Sequence, residues 1–180
     1  MNVKNIFFLL FALFFLASCS PKLSPFTQEL YNGSEWKEED LKKIQFYLSD
    51  DIVLRRQISD GSSEIISGEI KIVNGKEVEE VVIEEGTPGI LLFMPKKNRF
   101  AISFEDSDAR YLVFGPNPRA SNRYVLMASE WNRKSGIVTY EEKKYRVDSQ
   151  SAFSTLMVDL EKIRKVDVNS RRAEGRRVDE

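Results

Sequence analysis

The fold class is decided by residues 70–78, which have the sequence IKIVNGKEV. Ile72 and Val78 are β-branched residues of the kind that favours strands, and they flank the pair Asn74-Gly75. A type I′ turn needs a positive φ at both central residues, so Asn-Gly between two such runs is a strong signal for a β-hairpin. The stretch therefore predicts two antiparallel strands joined by a tight turn.

The same pattern continues on both sides of this hairpin. Short runs rich in β-branched and aromatic residues, separated by turn residues, extend from Asp51 towards the C-terminus. The breaks between them are too short to hold the crossover helix that parallel strands require. We therefore expect an all-β fold, a mainly antiparallel sandwich or open barrel. The predicted strands lie near residues 51–58, 63–73, 77–84, 88–94, 99–105, 110–115, 123–129, 136–141, 143–148 and 152–160. The last of them has a second interpretation, because residues 152–165 are rich in helix formers.

One helix precedes the strands. Ser34 is a suitable N-cap, and acidic residues crowd the first turns, where the helix dipole favours anions. Leu41, Ile44 and Leu48 recur at helical spacing. We expect an N-terminal helix over residues 34–48 that covers one side or end of a sheet. A helix that binds a partner is the alternative.

The N-terminus carries a short apolar segment. Residues 6–17 are twelve apolar residues without a charge, and Lys4 precedes them. A helix needs about 20 apolar residues to cross roughly 30 Å of hydrocarbon, so this run is too short for a comfortable permanent span. Its length and flanks are typical of a secretory signal peptide, which is removed and takes no part in the fold.

The apolar segment is followed by a modification motif, Leu16-Ala17-Ser18-Cys19. It resembles the lipobox of bacterial lipoproteins, in which a branched apolar residue and two small residues precede the cysteine to be modified. The resemblance implies that diacylglycerol is attached to the Cys19 thiol and that the chain is cut between Ser18 and Cys19. Because no acidic residue directly follows Cys19, it also implies a lipid anchor at the periplasmic face of the outer membrane of a Gram-negative envelope. Cys19 is the only cysteine, so the mature chain has no disulfide to support its fold.

These features divide the chain into four parts. Residues 1–18 are the lipoprotein signal peptide, and residues 19–33 are a lipidated tether that reaches about 20 Å if it is flexible. Residues 34–168 form a single β-rich domain, and residues 169–180 form a basic tail. Of the 27 basic groups only Lys4 is lost with the signal, which leaves 26 against 28 acidic groups. This near-neutral balance argues against a nucleic-acid partner.

The residue types available for catalysis are few, because the chain has no histidine. With the thiol of Cys19 modified as well, the commonest general base, the commonest zinc ligands and the Ser-His-Asp and Cys-His nucleophiles are all missing. We interpret Asp106-Ser107-Asp108 as a turn, because a calcium loop needs more oxygen ligands at fixed offsets. Glu105 with one of these aspartates is the alternative, as the acid and base of a glycoside hydrolase. Glu79-Glu80 is expected on the solvent side of a strand, or as charges that discourage edge-to-edge pairing of sheets. No cofactor and no metal ion is expected.

Aromatic residues are dense in the second half of the chain, and most of them are expected in the core. The exception is the loop-like stretch from Tyr124 to Trp131 with Asn132 and Arg133, where an exposed indole can stack on a sugar ring or contact a partner. The aromatic residues concerned are Phe93, Phe100, Phe104, Tyr111, Phe114, Tyr124, Trp131, Tyr140, Tyr145 and Phe153.

The sequence therefore favours a non-enzymatic lipoprotein, held on the outer membrane by the lipid on Cys19, that is a structural component of the envelope or docks onto an envelope protein. A β-domain that binds a lipid or a glycan is the first alternative. A carboxylate-dependent hydrolase is the second, and it requires two acids about 5–10 Å apart in a cleft.

Overall fold

The computed structural model describes residues 22–58, 69–73, 76–131 and 135–166. Several sequence predictions lie outside these ranges: the signal peptide, Ser18 and Cys19, the Asn74-Gly75 turn, Asn132 and Arg133, and the basic tail. Within the described ranges, no helix has both the length and the apolar composition needed to cross a bilayer.

The described residues form thirteen strands, three short α-helices and two 3-10 turns. The helices are α1 (Gln28–Gly33), α2 (Glu38–Leu41) and α3 (Leu160–Val166). The 3-10 turns are Pro118–Ala120 and Ser151–Phe153. The strands are β1 (Leu23–Pro25), β2 (Phe46–Leu48), β3 (Ile52–Gln57), β4 (Glu69–Val73), β5 (Lys76–Ile83), β6 (Pro88–Lys96), β7 (Arg99–Ser103), β8 (Tyr111–Asn117), β9 (Arg123–Leu126), β10 (Glu130–Trp131), β11 (Ser135–Tyr140), β12 (Lys143–Asp148) and β13 (Leu156–Asp159).

The strands form two antiparallel sheets. The seven-stranded sheet has the order β1-β13-β2-β6-β7-β8-β9, and the six-stranded sheet has the order β10-β11-β12-β3-β5-β4. Strands β4 and β5 pair antiparallel with Val73 opposite Lys76, as the Asn-Gly signal predicts. The prediction of a mainly β, antiparallel fold is confirmed, and each predicted strand from 51–58 to 152–160 overlaps an observed one.

The two outer strands of the seven-stranded sheet meet at Phe26. Its N–H donates to the carbonyl of Leu156 at 2.8 Å, and its carbonyl accepts from the N–H of Tyr124 at 3.0 Å. The chain directly after β1 therefore bridges β13 and β9, and the sheet curls round a cluster of buried rings. Phe26 lies at its centre, with ring centroids 5.0 Å from Tyr124, 5.4 Å from Phe46 and 5.6 Å from Phe100.

Residues 23–33 do not form the tether that is predicted over residues 19–33. Residues 23–25 form β1, which pairs with β13, and Phe26 is fully buried. Helix α1 follows at once, with the Thr27 hydroxyl accepting from the Leu30 N–H as its N-cap. The proline and Asn-Gly signals that suggested a tether mark the ends of these short elements, and burial of one large aromatic ring holds the segment on the domain.

The predicted helix over residues 34–48 is not confirmed. Helix α2 covers only Glu38–Leu41, and Phe46–Leu48 form strand β2 between β13 and β6. Phe46 and Leu48 are both buried, as alternate residues of a half-buried strand should be. Leu41 and Ile44 are buried as well, so the apolar residues lie in the core as predicted, but pairing with two neighbouring strands decides the backbone conformation.

Residues 152–165 contain both conformations that their composition allows. Leu156 and Val158 are buried on one face of β13, and the helix formers that follow build α3. The inner faces of the two sheets contribute to one hydrophobic cluster, which is consistent with a β-sandwich. Val138 and Val147 enter this cluster from the six-stranded sheet, and Leu112 enters it from the seven-stranded sheet.

Candidate functional site

An open groove of about 630 Å³ lies where β9, β10 and the second 3-10 turn come together. Apolar side chains dominate it, and a few polar groups stand among them. It is lined by Pro116, Asn117, Pro118, Arg119, Val125, Leu126, Met127, Trp131, Ser149, Ala152 and Phe153.

Trp131 supplies the indole of this groove and is 43% exposed. It lies in β10, opposite Gly136 of β11. A Cβ atom on Gly136 would lie 2.7 Å from Cε3 of the indole and 2.8 Å from the Cβ of Ala128. The absence of a side chain at Gly136 therefore leaves room for the indole beside the neighbouring strand.

Phe153 supplies the second ring and is 65% exposed. It ends the 3-10 turn Ser151–Phe153, whose polar groups are anchored in the domain. The Ser151 N–H donates to Oδ1 of Asp148 at 2.8 Å, and the Ser154 hydroxyl donates to the carbonyl of Asp50 at 2.8 Å. Because Ser151 and Ser154 are buried, the turn is held rigidly while its ring faces solvent.

The end of β8 and the first 3-10 turn also line the groove. The side-chain oxygen of Asn117 accepts from the Arg119 N–H at 2.9 Å, and the backbone carbonyl of Asn117 accepts from the Asn122 N–H at 2.9 Å. Pro116 and Pro118 restrict the backbone on either side of Asn117. The groove thus has a stiff and mainly apolar lining, which includes the exposed Arg119.

The site that the sequence predicted is found in part. Trp131 is exposed, but Asn132 and Arg133 lie outside the described residues. Tyr124 is buried in β9, so the stretch that begins with it is not a loop throughout. Phe153 was not expected at the surface, because its aromatic side chain predicts burial. The turn residues just before it are the only sequence signal that pointed to exposure.

The carboxylates around residue 105 form an ion cluster that joins the two sheets. Nη1 of Arg110 lies 2.7 Å from Oε2 of Glu105, and Nε of Arg110 lies 3.0 Å from Oε1 of Glu141. The Tyr140 hydroxyl donates to the other oxygen of Glu105. Hydrogen bonds from Arg110 to Glu141 and then to Glu105 raise the pKa of the guanidinium. Burial, and then the hydrogen bond to Glu105, raise the pKa of Tyr140.

These bonds occupy both carboxylate oxygens of Glu105, so the side chain has a structural role. Asp106 and Asp108 lie in the turn between β7 and β8, where the Ser103 hydroxyl donates to the carbonyls of Glu105 and Ser107. The described residues contain no group of three or more Asp, Glu, Cys and His side chains placed to hold a metal ion.

The prediction that Glu79 and Glu80 face solvent is wrong. Glu79 is fully buried and Glu80 is 8% exposed. Each meets an arginine of β3: Oε2 of Glu79 lies 2.5 Å from Nη2 of Arg56, and Oε2 of Glu80 lies 2.6 Å from Nε of Arg55. Cross-strand pairing with cations allows the carboxylates to be buried, and the register that creates these pairs is a tertiary property.

The groove around Trp131 and Phe153 remains the arrangement best suited to contact with another molecule. Comparisons of the chain with protein family models, with curated proteins and with solved structures found no significant match.

Proposed function

We propose that the protein is a lipid-anchored envelope lipoprotein without enzymatic activity, and that its β body docks onto a partner protein through the groove around Trp131 and Phe153. The observation that carries the proposal is the exposure of these two large rings in the lining of one apolar groove. Tryptophan is enriched among the residues that dominate binding energy at protein interfaces, because a large ring on a rigid support buries much area at little entropic cost.

The rest of the groove supports surface docking. Met127 offers a polarizable side chain that adapts to an apolar partner, and Pro116 and Pro118 give the walls fixed backbone angles. The interior of the curled sheet is filled by aromatic rings such as Phe26 and Phe100, which supports surface contact in preference to carriage of a lipid inside the fold.

A glycan ligand is the second candidate, and one observation favours it. Polar groups of Asn117, Arg119 and Ser149 stand in the same groove as the indole. A sugar ring stacked on Trp131 would find hydrogen-bonding groups within this groove.

The anchor is the other half of the proposal and is drawn from the lipobox resemblance. Strand β1 begins at Leu23, so only four residues, 19–22, separate the proposed lipid from the first strand. Four residues span at most about 14 Å when extended. If Cys19 carries the lipid, the domain is held close to the bilayer at the periplasmic face of the outer membrane. A second acyl chain would make the anchorage stable.

Site-specific photocrosslinking tests the docking surface. A photoreactive phenylalanine analogue at position 153 should give a discrete crosslinked product in cells. The same analogue at position 90 is the matched control, because Ile90 is 50% exposed on β6, outside the groove. Trp131→Ala should abolish the product at position 153. Equal crosslinking from both positions, or a product that survives Trp131→Ala, would contradict docking through the groove.

A separate experiment tests the anchor and the alternatives. Mass spectrometry of the mature protein should find an acylated Cys19 as the first residue, and Cys19→Ala should remain unprocessed or leave the membrane fraction. An unmodified thiol or a different mature terminus would refute the anchor. Turnover of a panel of glycans, esters or peptides by the purified protein would refute the absence of enzymatic activity.

A further inference from the structure

A second groove lies on the outer face of the six-stranded sheet, and it shares no lining residue with the groove around Trp131 and Phe153. It measures about 390 Å³. Four of its lining residues are basic, and no acidic residue from the described part of the chain lines it. We call it the basic groove and define it by Arg55, Arg56, Gln57, Lys144, Tyr145 and Arg146.

The register of the sheet places like charges side by side in this groove. Arg146 of β12 lies directly opposite Arg55 of β3. Like charges directly opposite each other on a sheet are unfavourable. Arg55 is also opposite Glu80, with which it forms an ion pair at 2.6 Å. Arg146 forms no such ion pair with another described residue.

Arg56 is fixed more firmly than Arg55. Its Nε and Nη2 atoms lie 2.8 Å and 2.5 Å from the same oxygen of the buried Glu79. Its guanidinium also lies over the ring of Tyr145, 5.9 Å from the centroid. Burial alone lowers the pKa of Arg56, but the hydrogen bond to Glu79 and the charge of Glu79 outweigh it and raise this pKa. Arg56 is therefore a permanent, fixed cation, and its side chain lies on the same face of β3 as the buried Leu54, opposite to the face that carries Arg55.

The balance of charge leaves the groove positive. Glu79 and Glu80 neutralise Arg56 and Arg55, so the four cations keep a surplus of two. The surplus comes from Lys144 and Arg146, which lie two residues apart on the same face of β12 and are both exposed. The side-chain amide of Gln57 adds a neutral hydrogen-bond donor at the same groove.

We propose that the basic groove binds the phosphate group of an anionic ligand. Guanidinium groups present paired N–H donors that match phosphate oxygens, and a phosphate monoester carries a charge close to the surplus of the groove. The volume of about 390 Å³ exceeds that of a phosphate alone, and Val78 and Ile137 line its remaining surface. The ligand class is therefore a phosphate joined to a larger group, such as a sugar or a lipid head group. This site is independent of the groove around Trp131 and Phe153.

Calorimetric titration of the full mature chain in a non-ionic detergent tests the proposal. The probes are inorganic phosphate, glucose 1-phosphate and glycerophosphoglycerol, which stand for the free ion, a phosphorylated sugar and a lipid head group. At least one probe should bind, and raised salt should weaken its binding. Lys144→Gln/Arg146→Gln should bind it roughly tenfold more weakly, since it loses two charge-assisted contacts.

Lys96→Gln/Lys97→Gln is the matched control, because it removes two exposed charges from the β6–β7 turn. Its affinity should equal that of the unsubstituted protein. The probe that binds most tightly identifies the source of the phosphate. Binding of no probe, or equal weakening by both double substitutions, would overturn the proposal. Thermal unfolding of each variant shows that any loss of binding is not a loss of fold.

Discussion

Arg110→Met should destabilise the protein because it removes the ion pairs that join the two sheets at this cluster. Arg110 is 19% exposed and bridges Glu105, which follows β7, and Glu141, which follows β11. Loss of one partner of a buried pair costs about 3–5 kcal/mol, whereas an exposed pair contributes about 0–1 kcal/mol. Because Glu105 is 32% exposed and Glu141 is 17% exposed, the cluster lies between these limits. We expect a loss of about 2 kcal/mol.

The assay is equilibrium unfolding by urea and by heat. In a domain of this size, a loss of about 2 kcal/mol lowers Tm by roughly 4–8 °C. Lys143→Met is the matched control. Lys143 reaches the same Glu141 at 3.6 Å but does not contact Glu105, so its loss should cost no more than about 1 kcal/mol. Arg110→Lys keeps the charge and loses the forked geometry, so it should fall between the two.

The reasoning fails if Arg110→Met unfolds at the same denaturant concentration as Lys143→Met. It also fails if Arg110→Lys is as damaging as Arg110→Met, because the effect would then come from packing of the side chain and not from its charge. A change in the denaturant slope with no change in midpoint would place the effect in the unfolded chain.

Three further predictions follow from the packing. Phe26→Ala should cost about 3–5 kcal/mol of unfolding free energy because its ring is fully buried, whereas Phe153→Ala should change stability by no more than about 0.5 kcal/mol; equal effects in urea unfolding would contradict the closure of the sheet at residue 26. Gly136→Ala should displace the indole of the docking groove and change tryptophan emission and acrylamide quenching, whereas Gly33→Ala, whose new Cβ meets nothing within 4 Å, should leave both unchanged. Burial, and then the charge of Glu79, raise the pKa of Tyr145 to about 12, so the unfolded chain loses this proton near pH 10 while the folded chain keeps it. The free energy of unfolding should therefore be constant up to about pH 10 and fall as the pH rises towards 12. A flat pH profile would refute this burial.

The strands were predictable because their signals are local. The Asn74-Gly75 pair between β-branched runs marks the β4–β5 hairpin, and the observed register sets Val73 opposite Lys76. Alternation of buried and exposed side chains, as in β3 and β12, follows from the two-residue period of a strand and can be found in the sequence alone.

The N-terminal segment shows where local sequence signals fail to predict the conformation. Ile44 and Leu48 fit a helical spacing with Leu41, but two neighbouring strands satisfy the backbone of β2 and make it extended. Phe26 stands among prolines and turn residues, and only the rings that surround it reveal its place in the core. Both errors concern short elements whose conformation is set by distant partners.

The candidate sites divide in the same way. Trp131 could be singled out from the sequence, because an aromatic residue in a turn-rich stretch suggests a contact surface. Phe153, the buried Glu79 and the facing pair Arg55 and Arg146 could not, because residues far apart in the chain determine the exposure or the charge environment of each.

The sequence by itself determined a mainly β, antiparallel body, together with the expectations of an exposed indole at Trp131 and a lipid anchor at Cys19, because hairpin turns, strand periodicity and a motif that resembles a lipobox are properties of neighbouring residues. Only the tertiary structure decided which strands share a sheet, that the seven-stranded sheet closes at Phe26, and which charges meet across the strands. The physical reason is that burial and electrostatic pairing depend on contacts between distant parts of the chain, and these exist only once the two sheets have formed around their common core.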